Sequence, residues 1–187
     1  MKQKHMFKWK KDKTTITFKN PEIVFHEKSN EILYFYYDVI LKCHEVEKRF
    51  RVNDFPKVSY VAEIVDSIIS LDKNTEMSLI DNFKSDKFER KIYYNQKLLA
   101  DGFNIDYFMK FERYEYEISE NNDCNKRTWS EYTLLIGQTV NPYDDDTSDC
   151  LYIKGLDESD LLKLKSTTEE FVKFALKYNL NHKIDEI

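Results

Sequence analysis

The chain has 187 residues, 41% of them hydrophobic, and a formal net charge of −5. That length buries a sizeable core with no need of a disulfide or a metal. Its three glycines, Gly102, Gly137 and Gly155, stand far apart, which excludes phosphate-cradling loops and dinucleotide turns, and its 15% of aromatic residues excludes extended disorder.

Residues 1–13 hold six lysines and one acid, a net charge of +5, so the remainder carries −10. This stretch reads either as a nucleic-acid arm, with Phe7 and Trp9 stacking on bases, or as an edge strand blunted by lysines. The lack of arginine and the acidity of the rest favour the edge strand. Thr14 to Phe18 and Glu22 to His26 are β-rich runs separated by Asn20-Pro21. With glycine scarce, Asn and Asp are expected to make the turns. A polar turn at Glu27 to Asn30 leads to Glu31 to Cys43, dense in β-branched and aromatic residues. Val46 to Val52 alternates apolar and charged residues, as a half-exposed strand does. No turn signal lies between Cys43 and Val46, so a bulge or a long bent strand competes with a hairpin there.

Pro56 suits a first helical turn, and Val61, Ala62, Val65, Ile68 and Ile69 share the spacing of a helix over about 57–71. Thr75 to Lys87 reads as a short helix through Met77, Leu79 and Ile80, or as a loop. Phe88 to Leu99 is a predicted strand, Asp101-Gly102 a two-residue hairpin turn, and Phe103 to Ile118 the returning strand. Met109 and Phe111 share one face while Tyr114, Tyr116 and Ile118 share the other, which predicts a β-bulge near Glu112-Arg113. A polar loop from Ser119 to Thr128, a strand from Trp129 to Val140 and an acidic loop from Asn141 to Asp149 follow.

The clearest unit is Cys150 to Leu180. Leu151 and Ile153 alternate with Cys150 and Tyr152 as in a strand, and Gly155 permits a sharp turn. Asp157 is an N-cap, Asp160 completes a weak capping box, and Leu156 with Leu161 forms a hydrophobic staple. Leu161, Leu164, Thr168, Phe171, Ala175 and Tyr178 predict a helix over 158–179, ended by Asn179 or Asn181. The expected fold class is α+β: mainly antiparallel β-sheet with two amphipathic helices, about 57–71 and 158–179, packed on it. Residues 1–187 are expected to form a single compact domain. The alternative is two similar strand-strand-helix lobes, 1–72 and 88–187.

Few constellations carry chemistry. Asp144, Asp145, Asp146 and Asp149 offer oxygens to a hard cation, but their spacing is not that of an EF-hand, and a two-metal nuclease holds its acids on rigid elements. Glu112, Glu115 and Glu117 with Glu89 could pair for acid–base work, although charges alternating on a half-exposed sheet give the same pattern. Cys43, Cys124 and Cys150 form no CxxC; Cys124 lies near Lys126 and Arg127, which lower a thiol pKa. His5, His26, His44 and His182 share no zinc spacing. No metal and no cofactor are expected. The odd cysteine count and the absence of an apolar leader point to a reducing, cytoplasmic location. The longest uncharged run, Tyr132 to Tyr143, is too short to span a bilayer.

Tyr34 to Tyr37 and the cluster around Tyr114 and Tyr116 supply more ring surface than one core needs, and tyrosine suits recognition surfaces. The expected function is a non-enzymatic protein-binding module of a bacterial or phage conflict system: an immunity protein, an inhibitor or a small subunit of a defence complex. Its contact residues would be Tyr143, Asp144, Asp145, Asp146, Asp149, Asp157, Glu158 and Asp160, and its partner another protein with a basic surface. Membrane and nucleic acid are not expected partners. The alternatives are a metal-dependent nuclease or hydrolase using Asp144 to Asp149, and a nucleic-acid binder using the lysine-rich arm.

Overall fold

The computed structural model describes residues 7–29, 31–54, 60–100, 108–120, 125–137 and 150–185. Its first sheet is a four-stranded antiparallel meander of β1 (Phe7–Lys11), β2 (Thr14–Phe25), β3 (Ile32–Cys43) and β4 (Val46–Asp54), in that spatial order. The lysine-rich start is an edge strand: Lys8 and Lys10 face water while Trp9 fills the core. The two tight turns place non-glycine residues at positive φ, Asp12 at 49° and His44 at 53°. Asp and His tolerate that region better than most residues. Cys43 opposite Val46 therefore closes a two-residue hairpin, with neither a bulge nor a bent strand. Asn20-Pro21 does not end one strand and begin another. It makes an irregularity within β2, with Asn20 at φ 51°, where Pro21 owes the ladder no N–H.

The second sheet orders β5 (Ser78–Lys84), β6 (Phe88–Ala100), β7 (Phe108–Glu120), β8 (Lys126–Gly137) and β9 (Cys150–Leu156), all antiparallel. Before it come α1 (Tyr60–Ile69) and the short α2 (Lys73–Glu76). Asp72 caps α2 by accepting from Asn74 N at 2.8 Å, while Glu76 accepts from Asp72 N at 2.7 Å. The stretch expected as helix or loop beyond Thr75 is instead mostly edge strand. Only Met77 turns inward there; Leu79, Ile80 and Phe83 lie exposed along the edge. The Asp101-Gly102 turn lies outside the described residues. Ala100 opposes Phe108, however, whereas a two-residue turn there would oppose it to Phe103.

No bulge interrupts β7 at Glu112-Arg113, since the register is unbroken on both sides. What changes is the chemistry of the inner face, apolar at Met109 and Phe111, charged at Arg113, Glu115 and Glu117. Arg113 donates to the carbonyls of Ile68, Ile69 and Leu71 at 3.1, 2.6 and 3.3 Å, and pairs with Glu115, which also accepts from Ser130. Glu117 pairs with Lys73 and Lys126. Glu115 and Glu117 are therefore buried ion-pair partners, not the exposed alternation their spacing suggests.

The chain ends in α3 (Glu158–Asp185), longer than expected. Asn179 and Asn181 do not stop it, because asparagine disfavours a helix interior by no more than about 0.7 kcal/mol relative to alanine. Leu161, Leu164, Thr168, Phe171 and Ala175 are all buried, as their spacing requires, but Tyr178, one step further along the same stripe, is 45% exposed. Gly155, at φ 66°, sits where β9 loses register with β8 just before the helix. The two long helices cross over. α1 follows the first sheet but packs on β6 and β7 of the second; α3 follows the second but packs chiefly on β1 and β2 of the first, touching β8 as well; and the helices pack on each other. Phe171 meets the rings of Phe7, Phe18, Phe35 and Tyr37 at 5.5, 5.8, 6.2 and 5.2 Å. One buried cluster joins both sheets and both helices. Each sheet keeps its other face clear of these helices.

Candidate protein-binding face

Tyr143, Asp144, Asp145, Asp146 and Asp149 lie outside the described residues. The chain leaves the second sheet toward them at Gly137 and returns at Cys150, which oppose each other. α3 starts beyond the other end of β9, so loop and helix start flank one short strand. At the helix start Asp157 Oδ1 accepts from Asp160 N at 2.9 Å and from Ser159 Oγ at 2.7 Å, and Asp160 Oδ2 accepts from Asp157 N at 3.1 Å. The bonds to its own carboxylate, the one from the Ser159 hydroxyl first and then that from the Asp160 amide, hold Asp157 below the usual carboxylate range. Asp157 and Glu158 are exposed. Asp160 is buried: its Oδ2 accepts from Lys11 Nζ at 2.7 Å and its carbonyl from the Trp9 indole at 2.9 Å. It clamps α3 to β1 and is not part of an exposed acidic flank. Folding also brings Lys11 to a flank where the local sequence holds only Lys154.

A second feature lies on the same strand. Once Met109, Phe111, Leu134 and Ile136 point inward, strand alternation turns the opposite parity outward. That parity carries Tyr94 on β6, Tyr114 and Tyr116 on β7, Trp129 on β8 and Tyr152 on β9. Tyr116 and Trp129 oppose each other and stack at 4.9 Å with an 8° interplanar angle. Tyr94 and Tyr114 oppose each other at 5.0 Å. Trp129 and Tyr152 are 39% and 44% exposed, and the Lys154 ammonium sits 5.6 Å from the Tyr152 centroid.

Tyr114, Tyr116 and Tyr152 help to line an open cavity of about 410 Å³, with Lys110, Glu112, Glu131 and Lys154 also in its lining. Glu112 accepts from the hydroxyls of Tyr94 and Tyr114 and from Lys110 Nζ, each at 3.2 Å. The Trp129 indole donates to Glu131 at 3.1 Å. Burial, and then the negative charge of Glu112, push the Tyr114 phenol up to about 12. Burial and Glu131 raise Tyr116 in the same direction. Both phenols are thus protonated donors at neutral pH.

Glu112 faces outward, whereas Glu89, Glu115 and Glu117 belong to the inner parity, so the four carboxylates suggested for acid–base work are split between two faces. Among the described residues no group of three His, Cys, Asp or Glu could hold a metal ion. Nor is any described helix long and apolar enough to cross a membrane. Comparison with protein-family models, curated proteins and solved structures finds no match to this chain. The spacing of the residues alone sets Tyr114 and Tyr116 opposite Phe111, yet it centres the contact on the acids. The missing signal is the register, which sets Tyr94, Trp129 and Tyr152 on the face of those two tyrosines.

Proposed function

We propose that the chain is a non-catalytic module that holds a partner protein against the ring-bearing face of the second sheet, with the acidic flank of β9 beside it. The outward Tyr116–Trp129 stack, on a sheet whose other face already packs the core, carries this reading. Interfaces concentrate Tyr, Trp and Arg. Ring bodies supply area at low entropy cost and hydroxyls supply hydrogen bonds. Glu131 beside Trp129, exposed Asp157 and Glu158, and the four aspartates between residues 144 and 149 favour a partner that presents arginine. A guanidinium both stacks on rings and pairs with carboxylates. The expected partner, a protein with a basic surface, is retained; the centre of the contact moves from loop to sheet.

The test is capture by the tagged full chain from an extract of its native host, with wild type compared with a Trp129→Ala/Tyr152→Ala variant and an Asp144→Asn/Asp145→Asn/Asp146→Asn variant. The ring variant should lose a stoichiometric protein partner that wild type holds, with its circular dichroism unchanged. A partner kept by the ring variant and lost by the aspartate variant would return the contact to the loop. Hydrolysis that EDTA and Asp145→Ala both abolish would remove the non-catalytic reading.

A further inference from the structure

The first sheet also keeps a face clear of the helices, with different chemistry. Phe35, Tyr37, Val39 and Leu41 of β3 are buried, which turns Tyr34, Tyr36, Asp38, Ile40 and Lys42 to the other side. The register sets beside them Lys8 and Lys10 on β1, Lys19 and Glu22 on β2, and Glu47, Arg49 and Arg51 on β4. In a chain of net charge −5, this face holds six cations and three acids. Two of the three acids are engaged, and the third faces a lysine in register. Asp38 accepts from Asn20 at 2.6 Å, from Arg51 at 3.2 Å and from Arg49; Glu22 pairs with Arg51; Glu47 opposes Lys42. Lys8, Lys10 and Lys19 are exposed and make no ion pair among the described residues.

The surplus positive charge therefore lies along β1 and β2, and rings lie next to it. Tyr34 and Tyr36 stack at 5.8 Å with a 29° interplanar angle, Tyr34 is 47% exposed, and the Arg51 guanidinium sits 5.8 Å from the Tyr36 centroid. From Lys42 to Tyr34 the strand covers about 27 Å.

We propose that this face binds single-stranded nucleic acid, with phosphates on the lysines and bases on Tyr34 and Tyr36. Charge alone selects a polyanion, and exposed rings beside the charge select one whose own rings are free. A duplex keeps its bases stacked inside and would gain only the phosphate contacts. An acidic protein surface offers no series of flat rings. The N-terminal lysines thus contribute although Phe7 and Trp9, between them, face the core; the stacking rings come from β3. The site is on a different sheet from the protein-binding face and stands or falls separately.

Fluorescence anisotropy of labelled oligo-dT and oligo-U against the full chain tests this. Three lysines on phosphates give a slope of log affinity on log salt of about −2.1. A Lys8→Gln/Lys10→Gln/Lys19→Gln variant should flatten that slope by about 2 units. Tyr34→Ala/Tyr36→Ala should keep the slope and lose roughly tenfold or more in affinity, as removal of base stacking does. All these side chains lie on the outer face, and circular dichroism confirms that each variant folds. No binding at low salt overturns the proposal. So does binding that ignores the tyrosines and is matched by polyphosphate, or attachment to phosphatidylserine vesicles without affinity for the oligonucleotides.

Discussion

Replacing Arg113 with methionine should loosen the junction between α1 and the second sheet. The Arg113 side chain is 11% exposed and reaches from β7 to the end of α1, where it donates to three carbonyls. α1 has no basic residue in its last turn, so this arginine from another element supplies the cation that its C-terminus lacks. Nε also donates to Glu115 at 2.9 Å, and the Glu115 side chain is only 12% exposed. Methionine is apolar and offers none of these donors. It leaves Glu115 with Ser130 and no neighbouring cation from β7. Breaking a buried charge pair from one side costs about 3–5 kcal/mol, much of it the desolvated charge left behind. At about 2–4 °C per kcal/mol for a chain of this size, Tm should fall by roughly 6–20 °C. Urea unfolding followed by circular dichroism measures the loss, and hydrogen exchange should show the amides of α1 opening first. Arg113→Met/Glu115→Gln should recover part of the loss, because the double variant buries no carboxylate at that position. A single variant within about 1 kcal/mol of wild type would refute the role of a buried pair.

Two pH responses follow from other sites. Burial alone would raise Asp38, but hydrogen bonds from Arg49, Asn20 and Arg51 outweigh it and hold the carboxyl below its usual range. The folded value is the lower one, so the ionised form stabilises the fold above about pH 4, and that contribution is lost as pH falls through the depressed value. Asp38→Asn should therefore flatten the acid limb of the stability curve. Tyr114 has the opposite sign. Its folded value, about 12, lies above the ordinary phenol value, so its contribution is complete below about pH 10 and disappears as pH rises through the folded value. An ultraviolet phenolate titration should show late-titrating tyrosines, Tyr114 among them with Tyr116 and Tyr132, and Tyr114→Phe should remove one of them.

What the sequence made legible followed from local rules. The strands of the first sheet, the cap and staple of α3 and its buried stripe all depend on residues within a few positions of one another. What it hid was set at long range. Glu115 and Glu117 look like solvent-facing alternation until α1, α2 and β8 bring Ile68, Lys73 and Ser130 to them. Asp160 looks like surface acid until Lys11 and Trp9 arrive from the far end of the chain. The slip of phase at Glu112-Arg113 is a true feature with a different cause: inward residues change from apolar to charged while the register stays unbroken. The turn at His44 escapes notice because histidine is seldom read as a turn former, although it tolerates positive φ.

The crossing of the helices bears on the outward rings. A tyrosine-rich sheet face often awaits a helix from elsewhere in its own chain. Here both long helices are engaged, α1 on β6 and β7 and α3 on β1 and β2, and each is held to the other by Lys165 on Asp66 at 2.7 Å. Moving either helix to an outer face would strip the inner face it covers. It would expose Val65 and Ile68, or Leu164 and Phe171, all of which are buried. At about 1.5–3 kcal/mol for each large apolar side chain, the exchange would cost more than covering Trp129 and Tyr152 could return, because those two rings are already more than half buried. The outer faces therefore cannot be filled by the described helices. Their contrasting chemistry, carboxylates and rings on one sheet, lysines and rings on the other, is left uncovered by both of those helices.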